Sequence, residues 1–186
     1  DQNKLKKAIT AYERALDVTP GSSYPLGNLA TLYLQQATNP ESQITIEKAV
    51  IAYRHTQELS RMELAFNPND YFLMMDVAMS STMLGHGDDE ESAEKREEAI
   101  RWLKFALQRD PTVAMLGLSL ENGWKRLQKF CPKEWTDVHD VLQEAIEIVE
   151  AAFNDARAAD ERAKAEAEQK AQDEAGDEDP HQPADD

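Results

Sequence analysis

Cysteine is almost missing from this chain. Cys131 is the only one in 186 residues, so neither an internal disulfide nor a cysteine-based metal cage can be built. Long apolar runs are missing too. No stretch approaches the roughly 20 residues a bilayer span needs, and no secretory leader pattern opens the chain, so a soluble, cytoplasmic protein without membrane insertion is expected. Glycine numbers only 7, and no glycine-rich loop that would cradle a phosphate occurs. Basic residues are outnumbered, 20 Lys and Arg against 36 Asp and Glu, for a net charge of −16. Nucleic-acid binding rests on clustered cations that release counterions, so nucleic acid is excluded as the main partner. Half of the negative charge is local: residues 154–186 hold 12 acidic and 4 basic side chains. The chain opens on Asp1 in a helical pattern, and a piece of a longer protein is the expectation.

What is present is a repeated spacing. "AITAYERALDVTP" places Ala8, Tyr12, Ala15 and Pro20 at steps of four, three and five, and the same steps recur at Ala99, Leu103, Ala106 and Pro111. A third copy has Ala49, Tyr53 and Thr56, with its proline delayed by seven residues to Pro68. Seven residues are about two helical turns, so the buried face stays in phase through the insertion. Between these stretches lie partner helices, "YPLGNLATLYL" and "YFLMMDVAMSSTML", in which large residues alternate with small ones that admit a close neighbour. Alternation of period two is absent, so no strands are expected.

Helix starts are signalled by Ser22 and Ser23 before Pro25, Asn39 before Pro40, Asp70 after "NPN", and Asp88 with Asp89; Gly85 and Gly87 signal an end. These marks predict helices over 3–18, 24–37, 41–66, 70–84, 89–109, 112–130 and 133–172. Three zones follow: a repeat domain with capping helix over 1–153, a solvated charged helix over 154–175, and a disordered acidic tail over 176–186. Trp135, Val138, Leu142, Ile146, Val149 and Phe153 form the packing side of the cap. Beyond Phe153 the helix is expected to rest on ion pairs such as Lys164–Glu168 and Glu166–Lys170, in the manner of a solvated or coiled-coil segment.

The small, large, small, proline signature resembles the tetratricopeptide repeat, a helix-turn-helix unit of about 34 residues that stacks into a solenoid. The stretches "YPLGNLATLYL", "NPNDYFLMMDVAMSSTMLG" and "AIRWLKFAL" also resemble the TRAFs-binding region of signalling kinases and bacterial relatives. These resemblances imply an all-α, right-handed solenoid of antiparallel helix hairpins, about three and a half of them, with a long C-terminal helix. They imply a protein–protein interaction module, a scaffold or docking domain whose inner helices line a concave face. The departures are in length, because Pro20, Pro68 and Pro111 are 48 and 43 residues apart.

Partner-facing positions on those inner helices are Tyr24, Asn28 and Thr31, then Phe72, Met75, Asp76 and Met79, then Met115 and Leu118. Met83, Ser119 and Asn122 continue the same path. Methionine suits an adaptable apolar surface, although a methionine stripe at helical spacing also packs cores. Some tetratricopeptide domains grip a C-terminal carboxylate with Lys, Asn and Arg. Asn28 falls at the asparagine position, but Phe72 and Asp76 stand where bases are required, so an apolar or basic protein or peptide is the expected partner. Two other readings remain: an assembly subunit whose groove is permanently filled, or a regulatory segment of a larger enzyme. Catalysis, cofactor and metal are not expected. His55, His86, His139 and His181 lack ligand spacing, and Cys131 has no evident activating base.

Overall fold

Each segment with apolar residues at three- and four-residue spacing folds as a helix. In the computed structural model, which describes residues 2–176, no strand occurs among them. In chain order they are α1 (Gln2–Val18), α2 (Ser23–Ala37), α3 (Ile46–Leu64), α4 (Tyr71–Leu84), α5 (Glu90–Leu107) and α6 (Val113–Leu118). A π-helical stretch (Ser119–Trp124), α7 (Lys125–Phe130) and α8 (Thr136–Gly176) complete the order. None of the described helices is long and apolar enough to cross a membrane. The expected disordered tail, 176–186, lies outside the described residues except for Gly176.

Side-chain caps fix the starts of α4, α5 and α6, whereas Ser22 before α2 makes no such bond. Asp70 accepts hydrogen bonds from the Phe72 and Leu73 N–H groups at 2.9 and 3.1 Å, and Asp89 accepts from Ser92 N–H at 2.8 Å. Each satisfies donors that an isolated first turn leaves unpaired. The helix expected from residue 41 instead begins at Ile46. Asn39 accepts from Glu41 N–H at 3.2 Å and the Ser42 hydroxyl from Ile44 N–H at 3.0 Å, so these side chains fold the stretch into turns.

The repeated spacing marks the buried faces. Ala49, Tyr53 and Thr56 are at most 2% exposed, and Ala99, Leu103 and Ala106 are fully buried. Ala8, Tyr12 and Ala15 are only half-buried, because α1 packs on α2 alone. From α1 to α5 each helix packs on the next. Across that stack, α3 and α5 are joined by a polar network: Arg61 pairs with Glu98, Lys95 Nζ reaches Glu98 at 3.3 Å and Gln57 Oε1 at 3.0 Å.

Beyond α5 the order changes. A third hairpin stacked in sequence would place α6 on α5, yet α5 packs on α8, while the π-helical stretch packs on α4 and α7 on α2. Two side-chain bonds hold this crossing: Tyr71 Oη and Ser119 Oγ are 3.0 Å apart in the interior, and Arg126 Nη2 donates to Gln35 Oε1 at 2.7 Å. The segment 113–130 therefore runs along the side of α2 and α4 that an open stack would leave bare.

Behind it, Val138, Leu142, Ala145 and Val149 of α8 are fully buried, as the apolar stripe requires. Over residues 154–172 the helix is exposed apart from partly covered Ala156, and carries Arg157–Glu161 at 3.6 Å and Asp160–Lys164 at 2.7 Å. Lys164 thus reaches back to Asp160 rather than forward to Glu168. The acid then lies N-terminal to the base, the better i,i+4 orientation.

Candidate docking groove

The crossing of 113–130 over α2 and α4 leaves a groove of about 430 Å³ between the three. Its walls come from positions one helical turn apart, as the 3.6-residue period demands: Tyr24, Gly27, Asn28 and Thr31 on α2; Phe72, Met75, Asp76 and Met79 on α4; Leu118, Ser119, Asn122, Gly123 and Arg126 on the crossing segment. Eight of the nine partner-facing positions read from the sequence line this one groove, as do Ser119 and Asn122. Met115 does not. It is partly buried against the core, one turn before Leu118. Met83 is 1% exposed and belongs to the interior.

The lining divides into rim and floor. Tyr24, Phe72 and Leu118 are 67%, 46% and 53% exposed and form an apolar rim. Tyr24 is held edge-on to Tyr12, with ring centroids 6.4 Å apart, and Phe72 edge-on to Tyr71 at 5.2 Å. Met75 is 1% exposed, so it forms the floor and presents little surface. Asn28 Nδ2 donates to the Tyr24 carbonyl at 2.9 Å, and the Thr31 hydroxyl donates to the Gly27 carbonyl at 3.2 Å. Both side chains are turned back on α2; the Thr31 hydroxyl also lies 3.1 Å from Tyr53 Oη, which donates to it, while the Asn28 amide keeps its carbonyl oxygen as an acceptor.

Gly123, which the sequence reading passed over, sets the depth at one end. A methyl group there would lie 2.9 Å from Met79 Sδ, so the missing side chain lets the π-helical stretch sit down on α4. Gly27 acts similarly on α2, where a Cβ would meet Thr56 Cγ2 at 3.2 Å and Asp76 Oδ1 at 3.6 Å. π-Helical turns often mark functional sites because they displace side chains from the regular spiral. Their sequence signal is weak, and "SLENGW" reads as ordinary helix apart from its glycine.

Electrostatically the groove is uneven. Asp76 is half-buried, and among the described residues its carboxylate has no ion-pair partner. Burial, reinforced by Glu63 and Asp70, pushes it up to about 7. Glu63 is itself engaged by Ser23 N–H, which donates to its Oε1 at 2.6 Å. Arg126, the groove's one cation, donates to Gln35.

The remaining chemistry-bearing residues lie elsewhere. Among the described residues, no three His, Cys, Asp or Glu side chains converge on a metal position. His86 stacks on Trp135 with centroids 4.2 Å apart, and its Nδ1 lies 3.2 Å from Asp137 Oδ1. Arg96 binds the same carboxylate at 3.1 Å and the Gly87 carbonyl at 2.8 Å, so this cluster ties the α4–α5 loop to α8. Cys131 is buried, and burial, with Asp137 and Glu134 nearby, pushes its thiol up to about 12. It is thus a protonated thiol, poorly suited to nucleophilic work. His181 lies outside the described residues.

Compared with family models, with curated proteins and with solved structures, the chain matches none.

Proposed function

We propose that this chain is a non-enzymatic protein-docking module of tetratricopeptide-like build, and that a partner segment seats in the groove between α2, α4 and the crossing segment. The observation that carries the reading is the convergence of Tyr24, Phe72 and Leu118 on one open groove. These large apolar side chains are exposed together, rimmed by Asn28 and Asn122, with hydrogen-bond capacity to orient an incoming backbone. Clustered exposure of this kind marks interaction sites more than scattered apolar residues do. The walls are helices already packed on a core, so little ordering cost falls on the module when a partner binds.

The groove is smaller than an open repeat stack would present, because 113–130 already covers part of it. That feature favours a short segment over a long helix as occupant, and it supplies the mechanism of selection: side chains enter between rim residues one at a time. A photocrosslinking experiment tests the reading. p-Benzoylphenylalanine placed at Phe72 or Leu118 should yield crosslinks to a partner in native extract that the same probe at Val18, 81% exposed but outside the groove, does not yield. Equal crosslinking at all three positions would refute it.

A further inference from the structure

We infer that the groove selects a lysine or arginine of its partner: a short apolar segment seats on Tyr24, Phe72 and Leu118 while one cationic side chain pairs with Asp76 in the groove wall. This rests on the docking reading of the groove.

The geometry points there for three reasons. Asp76 lines the groove wall with no ion pair of its own among the described residues, so a charge has been taken out of bulk water without compensation. The charges that act on it are Glu63 from α3 and Asp70 at the start of α4, both acidic, so the local field favours a cation. Arg126, contributed by α7, is the sole lining cation and is bonded to Gln35 Oε1 at 2.7 Å. Finally, Gly27 keeps the carboxylate against bare backbone: a Cβ there would stand 3.2 Å from Thr56 Cγ2 and 3.6 Å from Asp76 Oδ1, so no α2 side chain at this position shields the acid from the groove. The slim stem of a lysine or arginine can lie along the apolar rim of Tyr24 and Phe72 while its head reaches the oxygens.

The other occupants lack the required charge. Residues 177–186 of this chain carry five carboxylates and neither lysine nor arginine. A second copy of the chain brings a further −16. Both would meet Asp76, Glu63 and Asp70 as like charges, which costs free energy at close range. A basic partner segment also gains from the net charge through faster, salt-sensitive association.

Blocked synthetic hexapeptide pools test this with the full 186-residue chain. One central position is fixed as Lys, Arg, norleucine or Glu, the flanks are randomised among apolar residues, and affinity is measured calorimetrically at pH 8. Lys and Arg pools should bind about tenfold or more tighter than the norleucine pool, given the coupling measured for close charge pairs across interfaces. The Glu pool should bind weakest. Asp76→Asn should erase the Lys and Arg advantage while leaving norleucine binding intact, and Tyr24→Ala with Phe72→Ala should weaken every pool. If all pools bind equally yet still depend on Tyr24 and Phe72, the cation selection is overturned and the docking reading stands. If the Lys advantage survives Asp76→Asn, it comes from overall charge and the assignment to Asp76 is overturned. If no pool binds, or binding ignores Tyr24 and Phe72, both readings fall.

Discussion

Replacing Asp76 by asparagine should make the free protein more stable at alkaline pH and leave it unchanged below about pH 4. The folded state holds this carboxylate at about 7 through burial and the neighbouring Glu63 and Asp70, whereas an unfolded aspartate titrates near 3.9. Folding therefore favours the protonated form. The stability linked to Asp76 is fully present below about pH 4 and is lost progressively as pH rises through about 7. At about 1.4 kcal/mol per pH unit, this interval is worth at most about 4 kcal/mol, and about 2 kcal/mol once partial solvent access is allowed for. Asparagine keeps the shape and cannot ionise. Urea denaturation of both proteins at half-unit steps from about pH 3.5 to about pH 8.5, which brackets those two limits, should give coincident midpoints at the acidic end and a diverging pair above. Parallel curves, or a mutant weaker at pH 8.5, would refute the assignment of an uncompensated carboxylate. A cationic partner should reverse the difference, since it favours the ionised form that the empty groove disfavours.

Other substitutions separate the parts of the structure. Leu103→Ala opens a cavity at a fully buried position between Ala99 and Ala106; a loss of about 2–5 kcal/mol is expected by chemical denaturation. Gly85→Ala and Gly123→Ala should differ in size despite identical chemistry. At Gly85 the methyl group meets Arg96 Cγ at 2.7 Å and backbone atoms at 3.3 Å, so a loss of about 1–3 kcal/mol follows. At Gly123 it meets only the end of the Met79 side chain, so the melting temperature should hold within about 2 °C, with the gain in helix propensity offsetting the displacement, while peptide affinity falls. Asp137 should respond oppositely to Asp76. Burial pulls its carboxyl upward, but bonds from Gly87 N–H and His86 outweigh this and hold it below the usual carboxylate range. Asp137→Asn should cost about 1–2 kcal/mol at neutral pH, with the gap closing as wild type is acidified through and below the ordinary carboxylate value.

The sequence reading recovered the helices because their signals are local. Capping residues, prolines and the 3.6-residue apolar rhythm act within a turn or two of where they stand, and Asp70 and Asp89 do in the structure what their positions imply. It missed the start of α3, where Asn39 and Ser42 use the same polar chemistry to make turns. The groove was legible as a set of residues for a similar reason: Asn28 and Thr31, or Phe72 and Asp76, share a helix face by spacing alone. What spacing does not encode is which helix comes to sit opposite. The crossing of 113–130 depends on contacts nearly 50 and 91 residues apart in the chain, Tyr71 with Ser119 and Arg126 with Gln35.

That crossing also changes which residues can carry specificity. In an open stack Met75 and Met79 would face solvent as an adaptable surface, and selection would rest on apolar fit. Here Met75 is sealed into the floor, Met79 is partly covered beside Gly123, and much of the surface that makes methionine permissive is withdrawn. An apolar slot alone separates ligands that differ by one methylene only weakly, by about 1–3 kcal/mol. Discrimination then falls to the polar group left in the wall. An unpaired carboxylate rejects a segment that offers it no cation, because binding would strip its remaining water and return nothing. On this reasoning the stability forgone at Asp76 and the selectivity of the groove have one physical origin. A gain in stability together with loss of the lysine and arginine preference in Asp76→Asn, measured by denaturation and by pool binding on the same preparation, is the outcome that ties them together.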